Sequence, residues 1–145
     1  MNTFEVSTFI NRPVQEVFDF MTDPANSARW QTGTESSNWS SAGPVGVGST
    51  LHSVGRILGR ELVMDAEITQ WNPPSLWGLK ASNGPLKFEA INKFESKDGG
   101  TLVIQRFQGE IGGVFKMAEG LAVKQLQKQV ETDGKTLKAL LEANK

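Results

Sequence analysis

The feature that most constrains the fold is a run of short strand-like segments followed by one long helical segment. Between Ser49 and Gly109, clusters of turn-forming residues recur roughly every 10 to 13 residues. This spacing is typical of antiparallel strands joined by tight turns. The sequence therefore predicts strands over residues 49–58, 61–71, 75–82, 86–96 and 101–109.

Hydrophobic alternation supports these strands and indicates that one face of the sheet is buried. Over residues 61–68, the even positions carry apolar side chains and most odd positions carry carboxylates. Trp71 falls on the polar parity, so we expect it to cover an end of the sheet on the solvent side. Over residues 101–109 both faces of the strand are half apolar, so either face, including the one that carries Arg106, could be inward.

The N-terminal segment predicts one further strand and then short helices. Residues 4–10 alternate as a strand does, and Asn11-Arg12-Pro13 ends that strand and begins a helix. A narrow apolar stripe follows at helical spacing, formed by Val14, Val17, Phe18 and Met21. The pattern then predicts another turn of helix over residues 24–30 and a strand over residues 35–40.

The C-terminal segment from Val114 to Ala143 predicts a long amphipathic helix. It contains no proline, and apolar residues recur at steps of three and four from Phe115 to Leu141. At 1.5 Å per residue this helix is about 45 Å long, which is enough to cross a whole sheet. Since the apolar face of a single sheet must be covered, the sequence predicts an α+β fold in which this helix covers the sheet.

Composition narrows the class of protein. The 145 residues suffice for one domain over 1–145, with a core that needs no disulfide or metal. With no cysteine and one histidine, the chain is poorly suited to a transition-metal site, and the formal net charge of −1 gives no indication of a nucleic-acid partner. We therefore expect no cofactor, no metal and no nucleic acid.

The sequence also bears on location. No apolar stretch approaches the ~20 residues of a membrane span, and the N-terminus lacks the pattern of a signal peptide. We expect a cytoplasmic protein without integral membrane association. Nothing in the sequence indicates the oligomeric state.

The order of predicted elements, together with several short motifs, resembles the START-like superfamily. These motifs are residues 10–23 followed by Trp30, residues 46–49 before a strand, Trp71-Asn72-Pro73-Pro74, and residues 137–142 at the end of the last helix. This superfamily, also called SRPBCC, includes the polyketide cyclase/dehydrase and lipid-transport families. The resemblance implies a helix-grip fold: a curved antiparallel sheet of about seven strands wrapped around the long C-terminal helix, with two short helices after strand 1. It also implies a cavity between sheet and helix.

Aromatic and sulfur-containing side chains are the candidates for lining such a cavity, because they form adaptable apolar sites. These candidates are Trp39, Met64, Trp77, Phe88, Phe107, Phe115 and Met117. The same side chains could equally fill an ordinary core. Arg106 joins the candidates for ligand binding if it points inward, and Asn38 and His52 are further polar groups that could orient a ligand.

We expect the chain to bind a hydrophobic small molecule, such as a lipid, an isoprenoid or an aromatic polyketide-like compound. One alternative is an enzyme of the cyclase or dehydratase kind that uses the same pocket, for which the sequence identifies no catalytic residue. Another is a protein-interaction module of the kind that activates a chaperone ATPase. A cavity without paired charges favours binding, an internal charged pair favours catalysis, and a solid core favours interaction.

Overall fold

The computed structural model of the protein describes residues 2–57, 59–81, 86–111 and 119–143. It contains seven strands, three α-helices and one short 3₁₀ turn in these ranges. In chain order the elements are β1 (Asn2–Ile10), α1 (Val14–Thr22), the 3₁₀ turn (Pro24–Asn26), α2 (Ser27–Trp30), β2 (Thr34–Trp39), β3 (Thr50–Ile57), β4 (Arg60–Asn72), β5 (Leu76–Ala81), β6 (Leu86–Lys97), β7 (Gly100–Ile111) and α3 (Glu119–Glu142).

All seven strands form one antiparallel sheet in the order β1-β7-β6-β5-β4-β3-β2. Strands β2 to β7 form a meander, and the chain closes by pairing β1 with β7, from Asn2 opposite Gly109 to Ile10 opposite Thr101. The expected α+β architecture, with two short helices after the first strand and a long C-terminal helix, is confirmed.

The core lies on the face of the sheet that α1 and α3 cover. Helix α1 buries Val17, Phe18 and Met21, as its apolar stripe predicts. The Phe18 ring contacts Phe94 on β6 and Trp71 on β4, edge-on, with centroids 5.2 and 5.3 Å apart. Such edge-on pairs stabilise a core beyond the area they bury.

The prediction that Trp71 faces solvent is wrong, and a β-bulge in β4 explains why. Ile68 pairs with Leu79, but the next pair is Gln70 with Gly78, so Thr69 is an extra residue. One extra residue shifts every later side chain to the opposite face. Trp71 therefore lies on the same face as its partner Trp77, towards the core.

Helix α3 is anchored most firmly through its C-terminal half. Leu137 and Leu141 are fully buried there. The Lys138 ammonium donates to the carbonyl oxygen of Phe9 at 3.0 Å, and the Asn11 backbone N–H donates to the Glu142 carboxylate at 2.9 Å. In the N-terminal half, Ala122 is buried in a smaller cluster with Leu62, Phe88, Val123 and Leu126. The predicted helical residues 114–118 lie outside the described part of the chain.

Candidate ligand-binding site

A cavity of about 110 Å³, here called the inner cavity, lies between the sheet and the short helices. Its apolar lining comes from α1, α2 and six strands, and comprises Met21, Trp30, Trp39, Leu51, Met64, Trp77, Leu79, Phe88, Ala90 and Phe107. Each strand from β2 to β7 contributes inward-facing side chains because strand positions alternate between the two faces of a sheet. The cavity is therefore predominantly aromatic and aliphatic.

A second cavity of about 180 Å³, here called the helix-side cavity, lies against α3. Leu126, Gln129, Val130 and Asp133 of α3 line it on one side. It shares lining residues with the inner cavity, namely Trp30, Gln31, Ser53, Met64, Phe88, Gln105 and Phe107. The two cavities are therefore neighbours that share part of their walls.

The structure brings five of the expected lining residues to these cavities. Trp39, Met64, Trp77, Phe88 and Phe107 all line the inner cavity. Phe107 is held by its neighbours, with ring centroids 5.0 Å from Phe4 and 6.3 Å from Phe88. Two further candidates, Phe115 and Met117, lie outside the described residues.

Arg106 lines neither of the two cavities, so the inward orientation on which its candidacy as a ligand contact depended is not the one found. Its side chain is exposed on the outer face of β7, where it pairs with Glu5 of β1. Because Phe4 and Val6 of β1 face the core, their partners Phe107 and Gln105 face it too, and Arg106 must point outward. An exposed position also spares a charged side chain the cost of burial.

His52 and Asn38 lie on the outer face as well. Leu51 and Ser53 point into the inner cavity, so His52 between them points away from it. The His52 Nδ1 lies 2.7 Å from Asp65 Oδ1 in a half-exposed pair across β3 and β4. Asn38 is exposed opposite His52 on β2. Neither side chain is placed to orient a ligand in the cavity.

Polar groups that sequence reasoning missed line the inner cavity instead. Asn92 on β6 and Gln105 on β7 are directly opposite each other and only 3% and 5% exposed. Among the described residues no hydrogen bond engages either side chain. Ser37 and Ser53 also line the cavity, with their hydroxyl oxygens 3.0 Å apart. Because both amides line the cavity, they are available to a ligand.

The signal for these residues was present in the alternation of the strands. Asn92 shares the parity of the apolar residues Ala90 and Phe94, and Gln105 shares the parity of the apolar residues Val103 and Phe107. A polar residue that interrupts an otherwise buried parity marks a polar group in the interior. In the sequence analysis, the role of orienting a ligand is given instead to Asn38, His52 and Arg106.

Two tryptophans add buried donors close to the cavity. Trp30 and Trp77 are 4% and 7% exposed, and the indole Nε1 of each has no hydrogen-bond partner among the described residues. A buried indole N–H usually finds an acceptor. The site thus combines an apolar wall with several polar groups that the protein itself leaves unsatisfied.

The carboxyl group of Asp133 is the buried ionisable group of the helix-side cavity. Its side chain is 7% exposed, and it accepts a hydrogen bond from the Thr32 backbone N–H at 2.7 Å. Burial raises the pKa of Asp133 above its ordinary value, and hydrogen bonds from Thr32 act in the opposite direction. Asp133 follows Val130 by three residues and so interrupts the apolar face of α3, which is the same kind of sequence signal as that of Asn92.

Other site classes find no support within the described ranges. There, no group of three or more histidine, aspartate or glutamate side chains is arranged to hold a metal ion. No helix among those residues has both the length and the apolar character needed to cross a membrane.

We compared the chain with protein families and with solved structures, and found a matching family and several similar folds. The family model described as "Polyketide cyclase / dehydrase and lipid transport" matches residues 1–142. The solved structure of TTHA0849 from Thermus thermophilus is 19% identical, with a TM-score of 0.79 and coverage of 99% of both chains. That of Ara h 8.0201 is 14% identical, with a TM-score of 0.74 and coverage of 98% of both chains.

A third structure is a di-domain protein, the ARO/CYC StfQ from the steffimycin biosynthetic pathway. It is 13% identical, with a TM-score of 0.78 over 98% of this chain, which spans 51% of StfQ. At these identities the likeness is one of fold, and it confirms the helix-grip arrangement. The comparison with curated proteins finds no match.

Proposed function

The chain belongs to the polyketide cyclase/dehydrase and lipid transport family, and from that premise we propose that it binds a hydrophobic small molecule between the sheet and α3. The observation that carries this proposal is the inner cavity, whose apolar lining is interrupted by a few polar side chains, Asn92 and Gln105 among them. Pockets that bind small molecules have this composition, with apolar walls for affinity and few polar groups for orientation.

The affinity would come mainly from burial of the ligand's apolar surface, at about 25 cal/mol per Å². A dry apolar cavity of about 150 Å³ is large enough to take up benzene. The inner and helix-side cavities, at about 110 and 180 Å³, are of this order. Their sizes support a ligand of one ring in the helix-side cavity, or a ligand of two rings that occupies both cavities together.

Asn92 and Gln105 are the groups that would orient such a ligand. Each amide can both donate and accept, and the pair presents these groups side by side on one wall. This arrangement suits a ligand with a carbonyl or hydroxyl oxygen. It takes over the role that sequence reasoning had given to Asn38, His52 and Arg106.

The scarcity of ionisable side chains at the site favours binding over catalysis. The inner cavity has no ionisable side chain among its described lining residues, and the helix-side cavity has Arg56 and Asp133. Arg56 is exposed, and its Nε donates to Glu35 at 3.2 Å. An acid–base mechanism of the cyclase kind would need two ionisable groups that converge on the ligand. The interaction-module alternative is less favoured because it predicts a solid core.

The test is a titration of the protein with 2-methoxynaphthalene, a neutral two-ring compound, followed by NMR of the indole N–H signals. Trp30, Trp39 and Trp77 line the inner cavity and Trp71 does not. We expect the first three signals to shift and the Trp71 signal to stay in place. Assignment requires one Trp→Phe variant for each signal.

A pair of variants provides the control. Ala90→Leu adds a larger side chain to the wall of the inner cavity, whereas Ala28→Leu adds the same volume at an exposed position of α2. We expect Ala90→Leu to abolish the shifts and Ala28→Leu to retain them. Uniform shifts of all four indole signals, or full binding by the Ala90→Leu variant, would refute the proposed site.

A further inference from the structure

Asp133 carries a buried carboxyl group. A site that binds purely apolar ligands has no need of such a group. It lies in the middle of α3, lines the helix-side cavity, and is 7% exposed. A carboxyl group is costly to bury unless hydrogen bonds and charges compensate for the lost water. Its position on the cavity wall therefore calls for an explanation in terms of what the cavity holds.

The protein satisfies this carboxyl group incompletely. Within the described ranges, Thr32 is the residue that holds it by hydrogen bonds, and the backbone N–H of Thr32 is 2.7 Å from Oδ1. An ionised carboxylate offers about four acceptor positions, so acceptor capacity is left for a donor inside the cavity. The predominance of desolvation over these hydrogen bonds in raising the Asp133 pKa agrees with this incomplete satisfaction.

The charges around the cavity disfavour an anionic ligand. Arg56 is the described cation of the lining, but its side chain is 56% exposed and is paired with Glu35. A ligand carboxylate placed in this cavity would meet the Asp133 carboxyl group without a buried cation to neutralise it. Like charges in a poorly hydrated site repel each other strongly.

Resting on the proposed function, we propose that Asp133 determines ligand specificity. It accepts a hydrogen bond from a hydroxyl or N–H group of a neutral ring compound, and it excludes ligands that carry a carboxylate. This proposal separates the candidate hydrophobic ligands into two groups. Phenols and ring alcohols fit the site, whereas fatty acids and aromatic acids do not.

Three probes with the same ring system test this proposal by calorimetric titration at neutral pH. They are 2-naphthol, which can donate a hydrogen bond, 2-methoxynaphthalene, which cannot, and the anion 2-naphthoate. Since a hydrogen bond to a charged group is worth more than one between neutral groups, we expect 2-naphthol to bind about tenfold or more tightly than 2-methoxynaphthalene. We expect 2-naphthoate to bind most weakly.

A matched pair of variants isolates the carboxyl group. In Asp133→Asn the side-chain oxygen can still accept from Thr32, but an NH₂ group replaces the second acceptor. We expect the preference for 2-naphthol over 2-methoxynaphthalene to fall to about one in this variant. Glu131→Gln removes a negative charge from an exposed position of the same helix and is expected to leave the preference unchanged.

The outcomes separate this inference from the proposed function. If 2-methoxynaphthalene binds but the wild type shows no preference for 2-naphthol, or Asp133→Asn keeps the preference, the inference is overturned and the proposed function stands. Tight binding of 2-naphthoate would also overturn it and would indicate Arg56 as the contact. Failure of all three probes to bind would overturn both. The wild-type comparison requires no variant, so the test holds even if Asp133→Asn fails to fold.

Discussion

Asn92 and Gln105 place two amide groups side by side on the wall of an apolar cavity, and both residues are buried. An unsatisfied buried polar group costs about 1–3 kcal/mol of stability. A core selected for stability alone would use leucine or valine at these positions. We therefore interpret the two amides as groups retained for binding.

This interpretation predicts that Asn92→Leu stabilises the ligand-free protein. We expect the free energy of unfolding, measured by urea denaturation, to rise by about 1 kcal/mol because the variant replaces a buried amide on an apolar wall with an apolar side chain. Asn38→Leu is the control, since Asn38 is exposed on β2, and we expect it to change the free energy by less than about 0.5 kcal/mol. A clear loss of stability in Asn92→Leu would show that the amide is satisfied.

The Asp133 carboxyl group predicts a pH dependence of stability. Burial raises its pKa above the ordinary 3.8, so the folded protein holds this proton more tightly than the unfolded chain does. The stability that Asp133 contributes is then fully present below the unfolded pKa and is lost as the pH rises through the folded pKa. It is lost because the folded state must then accommodate a buried negative charge.

We accordingly expect the wild type to lose stability relative to Asp133→Asn as the pH is raised from below 3.8 towards neutrality. Urea denaturation of both proteins over this range gives the difference directly, since their other ionisable groups are the same. A difference that stays constant, or that grows in favour of the wild type with rising pH, would contradict the prediction.

Among the elements, α3 depends on a close approach to β1. Gly134 is buried in the helix, and a Cβ atom at this position would overlap the hydroxyl oxygen of Thr8 on β1. Glycine inside a helix costs about 1 kcal/mol relative to alanine. The fold accepts this cost because the missing side chain lets the helix backbone lie against the strand.

We therefore expect Gly134→Ala to destabilise the protein in spite of its better helix propensity. In a Thr8→Ala background the overlap is gone, and the same substitution should raise the free energy of unfolding by about 1 kcal/mol. Gly120→Ala provides a control in the same helix and should lose no stability, since among the described residues no atom outside the helix's own nearby backbone lies within 4 Å of its added Cβ. Destabilisation of equal size in both Thr8 backgrounds would exclude the proposed overlap.

Elements were easier to predict than the direction in which their side chains point. Turn-forming residues marked the strand ends to within a few positions, because proline, glycine and asparagine act locally on the backbone. The bulge at Thr69 depends on how β4 pairs with β5, and a single sequence does not display that pairing. This one residue accounts for the wrong orientation of Trp71.

The candidate site was predictable in its apolar part and not in its polar part. Trp39, Met64, Trp77, Phe88 and Phe107 line the inner cavity as expected, since large apolar residues on a buried parity have few other destinations. Arg106 was misassigned because its strand is equally apolar on both faces. The pairing of β7 with both neighbouring strands decides the orientation, since Arg106 lies opposite Glu5 of β1 and Phe107 lies opposite Ala90 of β6.

At the scale of the whole molecule, the two faces of the sheet differ in composition: the outer face is charged and the inner face is mostly apolar. The outer face carries opposite charges on neighbouring strands, with Glu67 opposite Lys80 and Lys80 opposite Glu89. Such cross-strand pairs favour the native register. The inner face carries the apolar wall and its few polar groups, and α3 covers it without filling the space completely.

This division has an evolutionary consequence. The backbone ladder and the outer charges hold the alignment of the strands whatever occupies an inward position such as 37, 53, 92 or 105. Under the proposed function, a single substitution at such a position would change which ligand the cavity prefers and leave the fold in place.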